Sequence, residues 1–254
     1  MNIKLQTVTE RMESLGMSFM SAGLESFLAE PRRQEQTVLD IVADLMELEY
    51  IPRKERSAKS RLKLSGMPAV KRLEDFDREW LKGGITNRQF DELSSLAFIE
   101  RKENVILMGP SGLGKSHLML ALGHKACLEG FTTYHTTCID LIENLVLARE
   151  NNRLKRRLVW LRKPHLLLID EVGYEKLTPE QANLFFQVVN ARYEQGSMII
   201  TTNKPFGRWA EIMSDEAVAS ATLDRLLHHA HILSLQGDSY RMKDRLKAGV
   251  VDFL

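Results

Sequence analysis

Cysteine is scarce in this sequence, where Cys127 and Cys138 are the only two among 254 residues and no CxxC spacing occurs. This argues against a disulfide scaffold or a cysteine-based metal site, and favours free thiols in a reducing compartment. No apolar run approaches the roughly 20 residues that span a membrane, and the N-terminus, MNIKLQTVTERMESLG, has no apolar secretion segment. We therefore expect a cytoplasmic protein with no membrane partner.

An excess of charge of one sign is also lacking, because 35 Lys and Arg balance 34 Asp and Glu. Attraction of the whole molecule to nucleic acid is excluded, so any such binding must come from local clusters. Two exist: eight basic residues and one acid between positions 53 and 72, and seven basic residues and one acid between 149 and 163.

These two basic clusters predict sequence-independent binding to the backbone of double-stranded DNA, since dense Lys and Arg runs release counterions from phosphates. Trp160 is the one aromatic residue within them that could stack on a base, which disfavours a single-strand platform. A solvated basic surface is the alternative. The predicted contacts are Arg53, Lys54, Arg56, Lys59, Arg61, Lys63, Arg153, Lys155, Arg156 and Arg157.

Hydrophobic periodicity divides the chain into a small all-helical N-terminal domain, residues 1–68, and a domain of residues 69–254 whose first part, 69–103, is a linker. Because the first basic cluster begins within residues 1–68, we expect the N-terminal domain to bind DNA. Apolar residues from Leu5 to Phe19 and from Val38 to Leu48 recur at helical spacing, which predicts two amphipathic helices broken near Pro31. Five short apolar runs then alternate with helical segments, which predicts an α/β fold with a parallel five-stranded sheet between helices. The runs are 104–108, 131–136, 165–169, 197–201 and 231–235.

The segment GPSGLGKS matches the P-loop pattern G-x-x-x-x-G-K-S/T and lies between an apolar run, NVILM, and a predicted helix. Its backbone N–H groups can surround phosphate oxygens, Lys115 can reach the terminal phosphates, and the Ser116 hydroxyl can bind Mg²⁺. We expect His117 to pack beside the phosphates rather than to act as a base. The predicted ATP-binding residues are Gly109, Pro110, Ser111, Gly112, Leu113, Gly114, Lys115, Ser116 and His117.

Polar residues end two other predicted strands. HLLLIDEV places Asp170 and Glu171 at the carboxyl edge of the sheet, where Asp170 can bind Mg²⁺ and Glu171 can polarise an attacking water. SMIITTN ends in Asn203, which can hold that water or a phosphate oxygen; capping the turn at Lys204 is the alternative. Together these residues indicate an ATPase.

The motif order GPSGLGKS, LLLIDE, IITTN, ATLDRLLHH and GDSYRMK resembles the AAA+ ATPases of the initiator and helicase-loader group, and within it the IstB family of transposition helpers. The resemblance implies an AAA+ module with Walker A at 109–116, Walker B at Asp170 and Glu171, and sensor 1 at Asn203. It also implies an arginine finger at Arg225, acting on a neighbouring subunit, and a sensor 2 residue at Arg241. From the residues alone, Arg225 would be an exposed or ion-paired helix residue.

The same resemblance implies an ATP-dependent homo-oligomer that deforms duplex DNA and recruits or stimulates a partner transposase. A DnaC-like helicase loader, which would bind a replicative helicase and prefer single strands, is the alternative. A small-molecule kinase is a more distant one, since no lid or acceptor pocket is evident.

A histidine-rich stretch, HHAH, covers positions 228–231. No further cysteine or carboxylate lies at a suitable spacing in the sequence, so the pattern alone does not predict a metal site.

Overall fold

The computed structural model describes residues 3–31, 36–77, 81–237 and 239, with the backbone alone at 81–83. The chain forms two compact units, Met1–Ser60 and Arg61–Leu254. Within the described ranges, no helix combines the length and apolar composition that a bilayer-spanning segment needs. The DNA-binding role expected for residues 1–68 stays a prediction.

The first unit is helical and contains α1 (Ile3–Ser14), α2 (Ser18–Leu28) and most of α3 (Val38–Leu64). The sequence predicted one helix through Leu5–Phe19, and this was wrong because the chain turns at Gly16, whose φ is +71°. The Gly16 N–H donates to the Glu13 carbonyl at 2.9 Å and the Met17 N–H to the Met12 carbonyl at 2.8 Å. These bonds close α1, so the apolar periodicity continues across two helices.

A buried carboxylate links α2 to α3. Glu49 on α3 is 6% exposed, and its Oε2 accepts hydrogen bonds from the N–H groups of Phe19 at 2.9 Å and Met20 at 3.1 Å. No side chain at the start of α2 caps this helix. A negative charge at a helix N-terminus is stabilising. Glu49, about thirty residues further along the chain, therefore takes the place of an N-cap side chain for α2.

The second unit alternates strands and helices along the chain. Its elements after α3 are β1 (Leu81–Gly83), α4 (Asn87–Ser94), α5 (Ala97–Glu100), β2 (Asn104–Met108), α6 (Lys115–Leu128), β3 (Thr133–Thr137), α7 (Cys138–Glu150), α8 (Leu154–Leu161), β4 (Leu166–Val172), α9 (Pro179–Arg192), β5 (Ser197–Thr202), α10 (Trp209–Met213), α11 (Glu216–Leu227), β6 (Ala230–Ser234) and β7 (Gln236–Gly237). The predicted α/β class is confirmed.

The described strands form a five-stranded parallel sheet in the order β3-β4-β5-β2-β6, and a separate antiparallel ribbon of β1 and β7. Strand β5 therefore lies between β2 and β4. Since parallel strands end at the same edge, this order places the tip of β5 between the loop that follows β2 and the acidic end of β4.

Alternate residues of the central strands face two separate cores. Ile106 and Leu167 belong to a cluster that includes α7, α9 and α11, whereas Val105 and Leu168 belong to one that includes α5 and α6. All four side chains are fully buried. Each contributes about 2 kcal/mol of transfer free energy, so the sheet is held from both faces.

Candidate functional site

The loop after β2 has a backbone that only glycine adopts easily. Gly109, Gly112 and Gly114 have φ values of +147°, +86° and +83°. A Cβ at Gly109 would collide with the Leu235 carbonyl, and one at Gly112 with the Ser239 hydroxyl. The loop is thus held in one tight conformation that leads directly into α6.

The first two residues of α6 face inward. Lys115 is 5% exposed, and its Nζ donates to the Pro110 carbonyl at 2.7 Å, which holds the ammonium across the loop. The Ser116 Oγ donates to Asp170 Oδ1 at 3.0 Å. The predicted Mg²⁺ ligands, Ser116 and Asp170, are therefore adjacent in space, and a hydroxyl with a carboxylate suits this oxygen-seeking ion.

Asp170 Oδ1 is the meeting point of three donors. Besides Ser116, it accepts from the Glu171 N–H at 3.1 Å and from the Thr201 hydroxyl. Thr201 Oγ1 also accepts from the Glu171 N–H at 2.9 Å. The sequence motifs predict no role for Thr201; the available signal was a polar residue at the end of a fully buried strand.

Glu171 has a left-handed backbone, with a φ of +63°. The pairing of β4 with β5 shifts register between Ile169 and Val172, which brackets Asp170 and Glu171 in a bulge. Such a conformation is costly for a residue with a side chain and is found where a strand re-aims a functional group. The half-buried Glu171 lines the cavity next to the P-loop.

Asn203 follows β5 and is half-buried. Its Oδ1 is buried and has no hydrogen-bond partner in the part of the chain that the structure describes. The alternative role, capping the turn at Lys204, falls to Thr202, whose Oγ1 accepts from the Lys204 N–H at 3.1 Å. Asn203 therefore keeps an unsatisfied acceptor directly after the end of β5.

A cavity of about 360 Å³ opens over the P-loop. Its wall includes a segment around Phe76 that the sequence motifs do not predict. Phe76 stacks on Phe90 and makes a T-shaped contact with the His117 ring. Burial lowers the pKa of His117, which favours the neutral ring. The lining residues are Lys71, Asp75, Phe76, Asp77, Gly112, Leu113, Gly114, Lys115, Ser116, His117, Leu120, Glu171 and Tyr174.

The two predicted arginines are placed differently. Arg225 lies on α11 with its guanidinium 4.6 Å from the ring centroid of Phe186 on α9, and it is not among the described residues that line the cavity. Arg241 lies outside the described residues. Both roles stay predictions.

The basic cluster of residues 149–163 extends from the end of α7 through α8. Arg153, Lys155 and Arg156 are exposed. Arg157 lies over the Trp160 ring at 4.3 Å and donates to the Tyr134 hydroxyl at 3.3 Å.

Trp160 is isolated among aromatic residues in sequence but not in space. The Tyr134 ring on β3 makes a T-shaped contact with the Trp160 ring, with centroids 4.7 Å apart. Trp160 is 37% exposed and borders a groove of about 470 Å³ that also includes Arg153 and Arg156. This groove thus combines an aromatic surface with positive charge.

The basic residues at 53–63 lie along α3. Arg53, Lys54, Arg56, Lys59 and Lys63 are exposed. In contrast, the Arg61 Nε donates to the Cys127 carbonyl at the end of α6, at 2.8 Å. Arg61 therefore contributes to closing a helix C-terminus as well as to the local charge.

A family model described as IstB-like ATP binding protein matches residues 10–248. This chain belongs to that family. The resemblance inferred from the motifs is thereby confirmed.

Relatives of this IstB-like chain come from insertion sequences. It is 42% identical over 240 residues to an ATP-binding protein of insertion sequence IS21 from Pseudomonas aeruginosa, covering 94% of this chain and 90% of the relative. It is also 42% identical over 201 residues to an ATP-binding protein of insertion sequence IS5376 from Geobacillus stearothermophilus, covering 79% and 80%.

Solved structures match the IstB-like chain at the level of fold. AMPPCP-bound DnaA from Aquifex aeolicus has a TM-score of 0.54 and 20% identity, over 74% of this chain and 58% of that one. The DnaC helicase loader has a TM-score of 0.53 and 19% identity, over 65% and 96%. The AAA+ fold predicted from the motif order is confirmed.

Proposed function

We propose that this IstB-like protein binds ATP with Mg²⁺ in the P-loop cavity and hydrolyses it. The observation that carries the proposal is the convergence of Ser116, Thr201 and Glu171 on one oxygen of Asp170. Strands β4 and β5 and helix α6 contribute to this cluster, and the cavity that could hold the nucleotide lies beside it. A glycine turn without a ligand would not require this arrangement.

Each residue has a distinct task in the proposed reaction. The loop N–H groups and Lys115 bind the phosphates, while Ser116 and Asp170 hold Mg²⁺. When bound, Mg²⁺ supplies charge that offsets the terminal phosphate oxygens. Glu171 orients a water and takes its proton, and Asn203 uses its unsatisfied acceptor to hold the same water.

We further propose that hydrolysis is coupled to duplex DNA and to a partner transposase. The relatives are named as insertion-sequence proteins, and exposed cations on α3 and α8 suit sequence-independent contact with phosphates. Arg225, which is not among the described residues that line the cavity, would complete the site of a neighbouring copy. ATP-dependent assembly on duplex DNA would then recruit or stimulate the transposase.

The test is the variant Glu171→Gln, which keeps the shape of the side chain and removes the base. ATP turnover should fall by about 100-fold or more. Nucleotide binding should remain, and the protein should stay trapped on duplex DNA. Steady-state turnover, nucleotide titration and DNA dissociation measure the three quantities.

Glu175→Gln is the matched control, because Glu175 is exposed in the loop that follows β4 and is not among the described residues that line the cavity. Normal turnover in Glu171→Gln would refute the assignment. Stronger stimulation by single strands than by duplex, with binding to a replicative helicase, would instead support the DnaC-like alternative, which rests on fold similarity alone.

A further inference from the structure

Besides Ser116 and Asp170, a second group of side chains of the types that bind metals lies at the opposite edge of the sheet from the P-loop cavity. His228 and His229 connect the end of α11 to the start of β6, and Glu194 lies in the connection between α9 and β5. Since β5 and β6 are parallel, their starts lie at the same edge, away from the strand ends that carry Thr202 and Asn203. The carboxylate that the sequence around HHAH lacked is thus supplied by the fold.

The three side chains are close enough to share one ion. One ligand atom from each of Glu194, His228 and His229 lies within 4.8 Å of the others. The two imidazole rings have centroids 4.1 Å apart. All three side chains are exposed, so small rotations that bring the ligand atoms to coordination distance disturb no buried packing.

Neighbouring contacts orient this cluster. The Tyr193 hydroxyl lies 2.9 Å from His228 Nδ1. Metal-binding histidines commonly donate their other ring N–H to an oxygen, which holds the ring in place; here that contact leaves Nε2 for an ion.

Two backbone features also suit a cation here. Glu194 has a φ of +57°, a left-handed conformation that residues with side chains adopt at some cost, often at functional sites. His228 is the C-cap of the twelve-residue helix α11, where the helix dipole favours positive charge.

We propose that Glu194, His228 and His229 form a site for a divalent transition-metal ion, with Zn²⁺ the best match. Two imidazoles and one carboxylate form a donor set that Zn²⁺ binds and that Mg²⁺ and Ca²⁺ do not favour. Three protein ligands leave a position open to water or to a group from another molecule. The ion would tie the α9–β5 connection to the end of α11, the helix that carries Arg225.

The site can be tested by titrating untagged, chelator-treated protein with Zn²⁺ in the absence of nucleotide. Isothermal calorimetry should show one ion per wild-type chain. His229→Ala and Glu194→Gln should each weaken binding by about tenfold or more. Zn²⁺ should also raise the Tm of the wild type and not that of either variant.

His124→Ala is the control, because His124 lies on α6 outside the cluster. It should bind Zn²⁺ as the wild type does, and circular dichroism should show that all variants are folded. Absence of saturable binding to the wild type would overturn the proposal. Equal affinities in the two cluster variants and in His124→Ala would overturn it as well. Because nucleotide is left out, failure here is separate from failure of the ATPase proposal.

Discussion

At the scale of single residues, the Thr201 side chain on β5 is hydrogen-bonded to both acidic residues at the end of β4. It is 1% exposed, donates to Asp170 and accepts from the Glu171 N–H. A buried donor or acceptor without a partner costs about 1–3 kcal/mol. The Thr201 hydroxyl therefore helps to hold both the Asp170 carboxylate and the strained backbone at Glu171.

Replacing Thr201 with valine keeps the branched shape and removes that hydroxyl. We expect Thr201→Val to lower the unfolding free energy by about 1–3 kcal/mol, measured by urea denaturation. ATP turnover should fall more than nucleotide affinity, because the P-loop is unchanged while Asp170 and Glu171 lose their shared partner.

Thr222→Val is the matched control. Thr222 is fully buried, but its Oγ1 donates at 2.7 Å to the Val218 carbonyl within the same helix. Its loss should leave turnover near the wild-type value. If both variants have the same turnover, Thr201 has no special role.

At the scale of elements, the basic cluster of residues 149–163 extends over the end of α7 and α8. Its cations differ in whether an acidic side chain already pairs with them. Lys155 and Arg156 are exposed, whereas Arg149, at the end of α7, forms an ion pair with Glu180 at 2.6 Å. Charges free to meet a phosphate contribute to the salt dependence of DNA binding, and paired charges contribute less.

We expect Lys155→Ala and Arg156→Ala each to weaken duplex binding uniformly across DNA sequences. Each should reduce the slope of log affinity against log salt by about 1. Fluorescence anisotropy with labelled duplexes at several salt concentrations measures this slope. Arg149→Ala should change it less, and identical slopes in all four proteins would argue that α8 does not contact DNA.

At the scale of the whole molecule, we propose that a residue from a neighbouring copy completes the active site. The described residues that line the cavity include Lys71 and Lys115 but no arginine. Phosphoryl transfer by P-loop enzymes commonly uses an arginine from a neighbouring molecule. Arg225, half-buried beside Phe186, is the candidate for this role.

Mixing two inactive variants tests whether copies share sites. Arg225→Ala should retain its own nucleotide pocket but fail to complete that of a neighbour, while Lys115→Ala should lose nucleotide and still offer Arg225. Together they should recover part of the wild-type ATP turnover on duplex DNA. Absence of recovery at every mixing ratio would count against a shared site.

Features that depend on residues close together in the chain were predicted from the sequence, whereas features that depend on distant residues were not. The P-loop and the central strands were predicted correctly because they depend on neighbours a few residues apart. The prediction of a single helix through Gly16 was wrong. Hydrophobic periodicity cannot reveal a turn that keeps the apolar residues at the same spacing on both sides. Thr201 and the segment around Phe76 were missed because their importance comes from partners far along the chain.

By itself, then, the sequence determined the α/β class and the family, since glycine spacing and apolar periodicity act locally; the nucleotide-binding roles of the motif residues stay predictions. Only the tertiary structure decided that Ser116 and Thr201 meet at Asp170, and that Glu194 joins His228 and His229. The reason is geometric: the order of parallel strands brings distant segments to one sheet edge, and no local pattern encodes that order.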